Sequence, residues 1–102
     1  MIRKRYIVAI SKRTLEEDQT FIAFLKDEKV GWWHWMDNLW LITTSKEHFT
    51  ASYIRDKIIE LYESDRILVI ELKDGKDTWS GKGPNSEDKN MFKWLKTAWK
   101  RK

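Results

Sequence analysis

Residues 31 to 44 read Gly-Trp-Trp-His-Trp-Met-Asp-Asn-Leu-Trp-Leu-Ile-Thr-Thr and hold four of the seven tryptophans in the chain. Aromatic and β-branched residues stand on both sides of Asp37-Asn38, a pair that tolerates the positive φ angles of a two-residue turn. The stretch therefore predicts a β-hairpin. If Asp37 and Asn38 form its turn, Trp35 lies opposite Trp40 and Trp33 lies opposite Ile42.

Both faces of this predicted hairpin are apolar, because side chains alternate between the two faces along a strand. One face carries Trp33, Trp35, Trp40 and Ile42, and the other carries Trp32, His34, Met36, Leu39 and Leu41. A sheet with helices on one side usually exposes its other side to water. An apolar second face therefore requires a second cover, and the nature of that cover bears directly on function.

Length and composition set the outer limits. A chain of 102 residues forms one domain that buries roughly 65% of the surface of its unfolded state. It has no cysteine, which excludes disulfides and thiolate metal sites. The apolar run after the basic start, residues 6 to 10, is shorter than the ~7 to 15 residues of a signal-peptide core, and no stretch approaches the ~20 residues of a membrane span. We expect no membrane span and a cytoplasmic location.

The positive charge is concentrated at the C-terminal end. Residues 86 to 102 contain six basic and two acidic side chains, so that of the chain's 20 basic and 16 acidic residues, 14 of each remain in residues 1 to 85. The body of the protein is therefore neutral. A basic protein often binds nucleic acid, but here only the tail and the cluster Arg3-Lys4-Arg5 support that interpretation.

The other predicted elements place the hairpin in a larger sheet. Residues 5 to 10 and 66 to 72 are apolar, strand-like runs. Thr14 to Glu17 has the pattern of a capping box and predicts a helix that extends to about residue 29. Its buried side is predicted to carry Leu15, Asp18, Phe21, Ile22, Phe24 and Leu25. Apolar residues at helical spacing predict a second helix over residues 50 to 62.

The order of these elements, βαββαβ, is the split βαβ arrangement of ferredoxin-like folds. We predict an α+β protein, a ferredoxin-like βαββαβ sandwich over residues 1–84, with an extra short strand at residues 77 to 80. Residues 81 to 86, Gly-Lys-Gly-Pro-Asn-Ser, break regular structure and predict a linker. Residues 85–102 are predicted to contain a basic amphipathic C-terminal helix.

This C-terminal helix, predicted over about residues 86 to 101, separates apolar from basic residues. One arc contains Met91, Phe92, Trp94, Leu95, Ala98 and Trp99, and the opposite side contains Lys89, Lys93, Lys96 and Lys100. We expect the apolar arc to pack on the body and the lysines to face solvent. The alternatives are a phosphate-binding stripe, a helix that binds a partner and a helix that lies on a membrane surface.

Four motifs together resemble a known family: Trp32-Trp33-His34 with Asp37, Leu39 to Ile42, Arg66 to Leu72, and Trp79-Ser80-Gly81. They resemble the SinR-like family of small ferredoxin-like proteins, which is distinct from the helix-turn-helix repressor of similar name. That family is similar to the small dimeric subunit of the CRISPR spacer-acquisition complex. The likeness covers about residues 5 to 81.

The resemblance implies a homodimer in which the open sheet face packs against a second copy, and the strand near Trp79 crosses to the partner. A covered apolar face of this kind stabilises a dimer by about 25 cal/mol per Å². The implied interface contains Trp33, Trp35, Trp40, Ile42 and Trp79.

The residues do not favour catalysis. Metal-dependent nucleases of the larger family hold an aspartate at the end of the first strand, where this chain has Ser11. A serine hydroxyl is a poor ligand for a hard cation, so we predict no catalytic residue, no metal site and no cofactor. His34 is interpreted as a hydrogen-bonded packing residue, and His48 has no evident partner in the sequence.

We therefore predict a non-catalytic homodimeric binding module of a CRISPR-associated-like family, for nucleic acid or a protein partner. Its predicted contact residues are Arg3, Lys4, Arg5, Lys89, Lys93, Lys96 and Lys100. Tryptophans on a sheet can also stack on bases, but the signature of RNA-recognition modules is absent, and the tryptophans are assigned to the dimer. The alternatives are a divalent-metal-dependent endonuclease of toxin or defence type and a structural assembly protein.

Overall fold

The computed structural model describes residues 3–73, 83, 85–87 and 89–99. The elements, in chain order, are β1 (Lys4–Ile10), α1 (Leu15–Asp27), β2 (Gly31–Met36), β3 (Leu39–Thr44), α2 (Ala51–Leu61), β4 (Ile67–Leu72) and a π-helical turn (Leu95–Trp99). The strands form one antiparallel sheet in the order β2-β3-β1-β4. The predicted α+β class is confirmed. The strand predicted at residues 77 to 80 lies outside the described residues.

Helix α1 begins at the predicted capping box. The Thr14 hydroxyl accepts from the Glu17 backbone N–H at 3.1 Å, and the Glu17 carboxylate accepts from the Thr14 backbone N–H at 2.9 Å. The other carboxylate oxygen of Glu17 accepts from the backbone N–H of Glu63 at 2.9 Å. Glu17 therefore also ties the start of α1 to the chain that follows α2.

Both helices cover one face of the sheet and enclose the larger core. Its buried residues are Tyr6, Val8, Ile10, Phe21, Leu25, Val30, Trp40, Ile42, Phe49, Ile54, Ile58 and Tyr62. The Phe21 ring meets Trp40 edge-on with 4.9 Å between ring centroids. In the described part of the chain, the Trp40 indole N–H is the one buried side-chain polar group without a hydrogen-bond partner. Leaving such a donor unpaired costs about 1–3 kcal/mol, which the aromatic packing must offset.

An ion pair lies inside this helix-covered core. Asp18 is only 3% exposed. Its carboxylate accepts one hydrogen bond from the Arg13 Nε at 2.8 Å and another from the Tyr62 hydroxyl at 2.8 Å. Burial, together with the bond to this carboxylate, raises the pKa of Tyr62. The prediction that Leu15 is buried is wrong, since it is 71% exposed. Leu15 is the first residue of α1, and the buried side of that helix starts at Asp18.

The hairpin turns at Asp37-Asn38 as predicted, but its pairing shifts by one residue. Trp33 lies opposite Leu41 instead of Ile42, and Met36 lies opposite Leu39. His34 and Trp35 thus both stand opposite the single residue Trp40. Two residues opposite one form a β-bulge. The predicted grouping of Trp33 with Trp40 and Ile42 is therefore wrong, because a shift of one residue moves a side chain to the other face.

The second face of the sheet is covered by the chain itself. Residues 89–99, the C-terminal segment, pack there and form a second hydrophobic cluster with strands β2 and β3. Its buried members are Trp33, Leu41, Met91, Leu95 and Trp99. The expectation that the apolar arc of the tail packs on the body is confirmed, and Lys89, Lys93 and Lys96 are exposed.

Helical structure in the tail begins later than predicted. Ser86 and Lys89 form a tight turn, with the Ser86 N–H donating to the Lys89 carbonyl at 3.0 Å. Asn90 then caps the helical turn, since its side-chain oxygen accepts from the N–H groups of Phe92 and Lys93, both at 3.0 Å. The described helical residues are 93–99, so the predicted helix start near residue 86 is wrong. No helix among the described residues has the length and apolar character that crossing a membrane requires.

The bonds of Glu17 predict a pH dependence of stability. The Glu63 N–H, more than the Thr14 bonds, lowers the pKa of this carboxyl below its ordinary value of 4.5. Its contribution to the free energy of unfolding is therefore complete above that value and is lost as pH falls through the lowered pKa. We expect Glu17→Gln to reduce stability at neutral pH, with a gap to the wild type that closes in acid.

Urea unfolding of the wild type and of Glu17→Gln, from neutral to acidic pH, measures the difference between their free energies of unfolding. Glu16→Gln is the matched control, because Glu16 is an exposed residue of the same turn and its side chain makes no such bonds. A gap of constant size at all pH values would contradict the assignment.

Candidate functional site

A groove of about 630 Å³ runs between the edge strand β2 and the C-terminal segment. Four consecutive residues of β2 form one wall and four residues of the C-terminal segment form the other: Trp32, Trp33, His34, Trp35, Asn90, Lys93, Trp94 and Thr97. None of these described lining residues is acidic. We call this feature the aromatic groove.

The β2 wall owes its shape to the bulge. Because two residues stand opposite Trp40, His34 lies flat on the Trp40 ring, with centroids 3.6 Å apart and 4° between the planes. The His34 Nε2 lies 3.1 Å from the Asp37 carbonyl oxygen, so the interpretation of His34 as a hydrogen-bonded packing residue is confirmed. Trp35 remains 41% exposed and presents its indole at the groove.

The opposite wall is positioned by local hydrogen bonds. Asn90 caps the turn that carries Lys93 and Trp94, and the Thr97 hydroxyl donates to the Lys93 carbonyl oxygen at 2.8 Å. The Lys93 side chain is exposed and forms no ion pair with another described residue. The wall therefore combines an aromatic side chain with a positive charge that no described acid neutralises.

One buried hydrogen bond joins the two walls. The Trp33 indole N–H donates to the Met91 carbonyl oxygen at 2.8 Å, and this bond is buried. Gly31 also contacts this region, since a Cβ at this position would lie 3.5 Å from the Trp94 Cζ2, an ordinary contact, but only 2.8 Å from the Thr43 Cγ2. The first residue of β2 must therefore be small for β2 to lie against Thr43 of β3.

The predicted basic contact residues do not gather at one place. Lys93 lines the groove, whereas Lys89 and Lys96 are exposed elsewhere on the C-terminal segment. The Lys4 ammonium donates to the Phe49 carbonyl at 2.8 Å and to the Glu47 carbonyl at 3.2 Å.

Arg5 and Arg3, the other predicted N-terminal contacts, are half-buried. The Arg5 guanidinium lies 5.7 Å from the centre of the Trp99 ring, so it supports the docked segment. Lys100, the last predicted contact residue, lies outside the described residues.

The residues predicted for the dimer interface are also dispersed. Trp40 and Ile42 are fully buried under the helices, and Trp33 is 4% exposed beneath the C-terminal segment. A second copy does not reach these three in this conformation, because the protomer's own chain covers them. Trp35 belongs to the groove, and Trp79 lies outside the described residues.

The end of β1 forms a separate, shallower cleft. The Ser11 hydroxyl lies 2.8 Å from the Ser64 hydroxyl, and Asp65 and Arg66 line the same cleft. Within residues 3–73 and the described tail residues, no three His, Cys, Asp or Glu side chains cluster as a metal site would require.

His48 has a partner that the sequence did not reveal. Its Nε2 lies 3.2 Å from the Glu28 Oε1, at the end of α1, so the reading of His48 as unpartnered is wrong. The two residues are twenty positions apart in the chain, and only the packing of α1 against the loop before α2 brings them together. Glu28 also lies 3.7 Å from the Lys46 ammonium, which makes the group a structural link.

Comparison with known proteins adds no assignment. No protein-family model matches the chain, and searches of curated proteins and of solved structures return no match either. The likeness to the SinR-like family therefore stays a prediction from the quoted motifs.

The buried bond from Trp33 predicts a cost for its removal. Trp33→Phe keeps an aromatic ring but leaves the Met91 carbonyl without its donor, and we expect a loss of about 1–3 kcal/mol in the free energy of unfolding. Trp35→Phe, the same change two residues away at an exposed position, is expected to have almost no effect. Urea unfolding of both variants tests this, and equal losses would contradict the anchoring role of Trp33.

Proposed function

We propose that the protein is a non-catalytic binding module for single-stranded nucleic acid, and that the aromatic groove is its contact site. The observation that carries this proposal is that accessible indole rings share one groove with the charge of Lys93, which no acid among the described residues neutralises. The indole rings suit the base of a nucleotide, and the positive charge suits its phosphate.

The aromatic part favours a flat ligand. Trp35 and Trp94 stand on opposite walls of the groove, and both are accessible to solvent. Stacking of a base on an aromatic side chain contributes about 1–3 kcal/mol and tolerates any sequence. A base in duplex is already stacked and paired, so a groove of this kind favours a single strand.

The charged part favours an anion. Lys93 is the one Lys or Arg among the described lining residues, and no acid accompanies it. Aromatic cages also bind cationic ligands, but the Lys93 ammonium would repel a ligand of that charge. A nucleotide can stack its base on an indole ring of the groove while its phosphate lies beside the Lys93 ammonium.

The test uses oligonucleotides of about 12 nucleotides, which lies within the range of site sizes of single-strand binding domains. We expect Trp35→Ala to weaken binding by about 1–3 kcal/mol. We expect Lys93→Gln to lower the slope of log K against log salt by about 0.7. Fluorescence anisotropy at several salt concentrations measures both effects.

Lys26→Gln is the matched charge control, because Lys26 is an exposed lysine on α1 that does not line the groove. It should leave the salt slope unchanged. Equal binding of duplex and single strand, or equal effects of the two lysine variants, would refute the groove as the site. Binding of an acidic aromatic peptide in place of any oligonucleotide would identify a protein partner.

We propose in addition that the protein forms a homodimer, through a surface other than the one expected from the sequence. The strand register places Met36, Leu39, Ala9 and Leu68 in one row across all four strands. Met36 is 49% exposed, Leu68 is 58% exposed, and neighbouring Ile70 is 44% exposed. This apolar row borders the C-terminal segment, and exposed apolar patches of this kind mark interaction surfaces.

The dimer is tested by sedimentation equilibrium. We expect twice the protomer mass for the wild type and the protomer mass for Leu68→Glu, because the introduced charge would be buried at the interface. Ile59→Glu is the matched control, since Ile59 is also 58% exposed but lies on α2. A wild-type protein that stays at the protomer mass at every concentration would exclude this dimer.

The finer fold and family assignments belong to the same proposal. A ferredoxin-like topology is supported by the βαββαβ element order and the strand order β2-β3-β1-β4. The quoted motifs support a SinR-like, CRISPR-associated-like family.

A further inference from the structure

The two walls of the aromatic groove are held differently: the β2 wall contributes Trp32 to the helix-covered core and Trp33 to the second cluster, whereas the C-terminal wall has no residue in the helix-covered core. Strand β2 is held in the sheet, whose helix-covered core contains no residue of the C-terminal segment. The segment contributes only to the cluster on the second face, through Met91, Leu95 and Trp99. Undocking of the segment would therefore remove one wall of the groove without removing any residue from the helix-covered core.

Beside its apolar contacts, the segment is attached to the sheet by few polar contacts between described residues. Among hydrogen bonds between described residues, the Trp33–Met91 bond is the one that joins it to the sheet. The segment has eleven residues, and its last turn, Leu95–Trp99, is π-helical. Isolated helices shorter than about 12–15 residues are marginal in water, so an undocked segment loses the turn that positions Lys93 and Trp94.

From these observations we propose that the C-terminal segment acts as a docking element that completes the groove, so that docking and ligand binding are coupled. This inference rests on the proposed function. A ligand that touches both walls binds only the docked state and stabilises it. Conversely, the apparent dissociation constant rises as the docked fraction falls.

Leu95→Ala is the decisive variant, because Leu95 is 6% exposed in the second cluster but does not line the groove. Any loss of binding must then act through docking. Leu61→Ala makes the same chemical change in α2, on the opposite side of the sheet. Leu95→Met, which nearly conserves side-chain volume, is the rescue variant.

Two readouts on the full chain are needed. Hydrogen exchange with mass spectrometry follows peptides from residues 89–99 and from the strands, and anisotropy follows binding of the oligonucleotide. For Leu95→Ala we expect at least tenfold faster exchange in residues 89–99, unchanged exchange in β1 and β3, and at least tenfold weaker binding. Leu95→Met should restore both, and Leu61→Ala should change neither. Saturating oligonucleotide should slow exchange in residues 89–99 of the wild type.

The outcomes separate this inference from the function that it rests on. Faster exchange in the segment with unchanged binding would overturn the coupling. Faster exchange in the strands together with the segment would also overturn it, because the segment would then not be an independent unit. A wild-type protein that binds no oligonucleotide refutes the proposed function and, with it, the coupling. Its exchange data would still show whether the segment undocks alone.

Discussion

A four-stranded sheet that is apolar on both faces must be covered twice, and the rest of this structure depends on how the chain meets that requirement. The helices α1 and α2 cover the first face around Trp40, which is fully buried. In the described part of the chain, residues 89–99 cover the second face, held by the buried bond between the Trp33 indole and the Met91 carbonyl. This second cover is smaller than the first, and it leaves Met36 and Leu68 exposed at the two ends of their row.

The bulge in β2 determines on which side of the sheet the neighbouring tryptophans lie. With regular pairing, Trp33 would lie on the same face as Trp40. The extra residue turns it to the other face instead, where its indole N–H can reach the C-terminal segment. The bulge also stacks His34 on Trp40 and leaves Trp35 accessible at the edge of the sheet. Bulges are frequent at sheet edges and next to functional sites, where they redirect side chains, and here the redirected residues form one wall of the groove.

Much of the fold could be predicted from local patterns. The capping box at Thr14, the turn at Asp37-Asn38 and the four strands each depend on a few neighbouring residues. The amphipathic arc of the tail likewise predicted that it packs on the body. Three inferences failed. Leu15 was placed in the core, the tail helix begins later than predicted, and the Glu28 partner of His48, twenty residues away, was missed. Asp18 was correctly placed on the buried side of α1, but its hydrogen-bond partner Tyr62, forty-four residues away, was not predicted.

The candidate site, too, was predicted in part and missed in part. Lys93 was among the predicted contact residues, yet the tryptophans that accompany it in the groove had been assigned to a dimer. Alternation in the sequence determined that the hairpin would be apolar on both faces, because side-chain direction in a regular strand follows from position alone. It could not determine which indoles lie on which face, since a bulge breaks alternation without changing composition. Only the tertiary structure decided that, because the bulge brings the Trp33 indole N–H within hydrogen-bond distance of Met91, which is fifty-eight residues away in the chain.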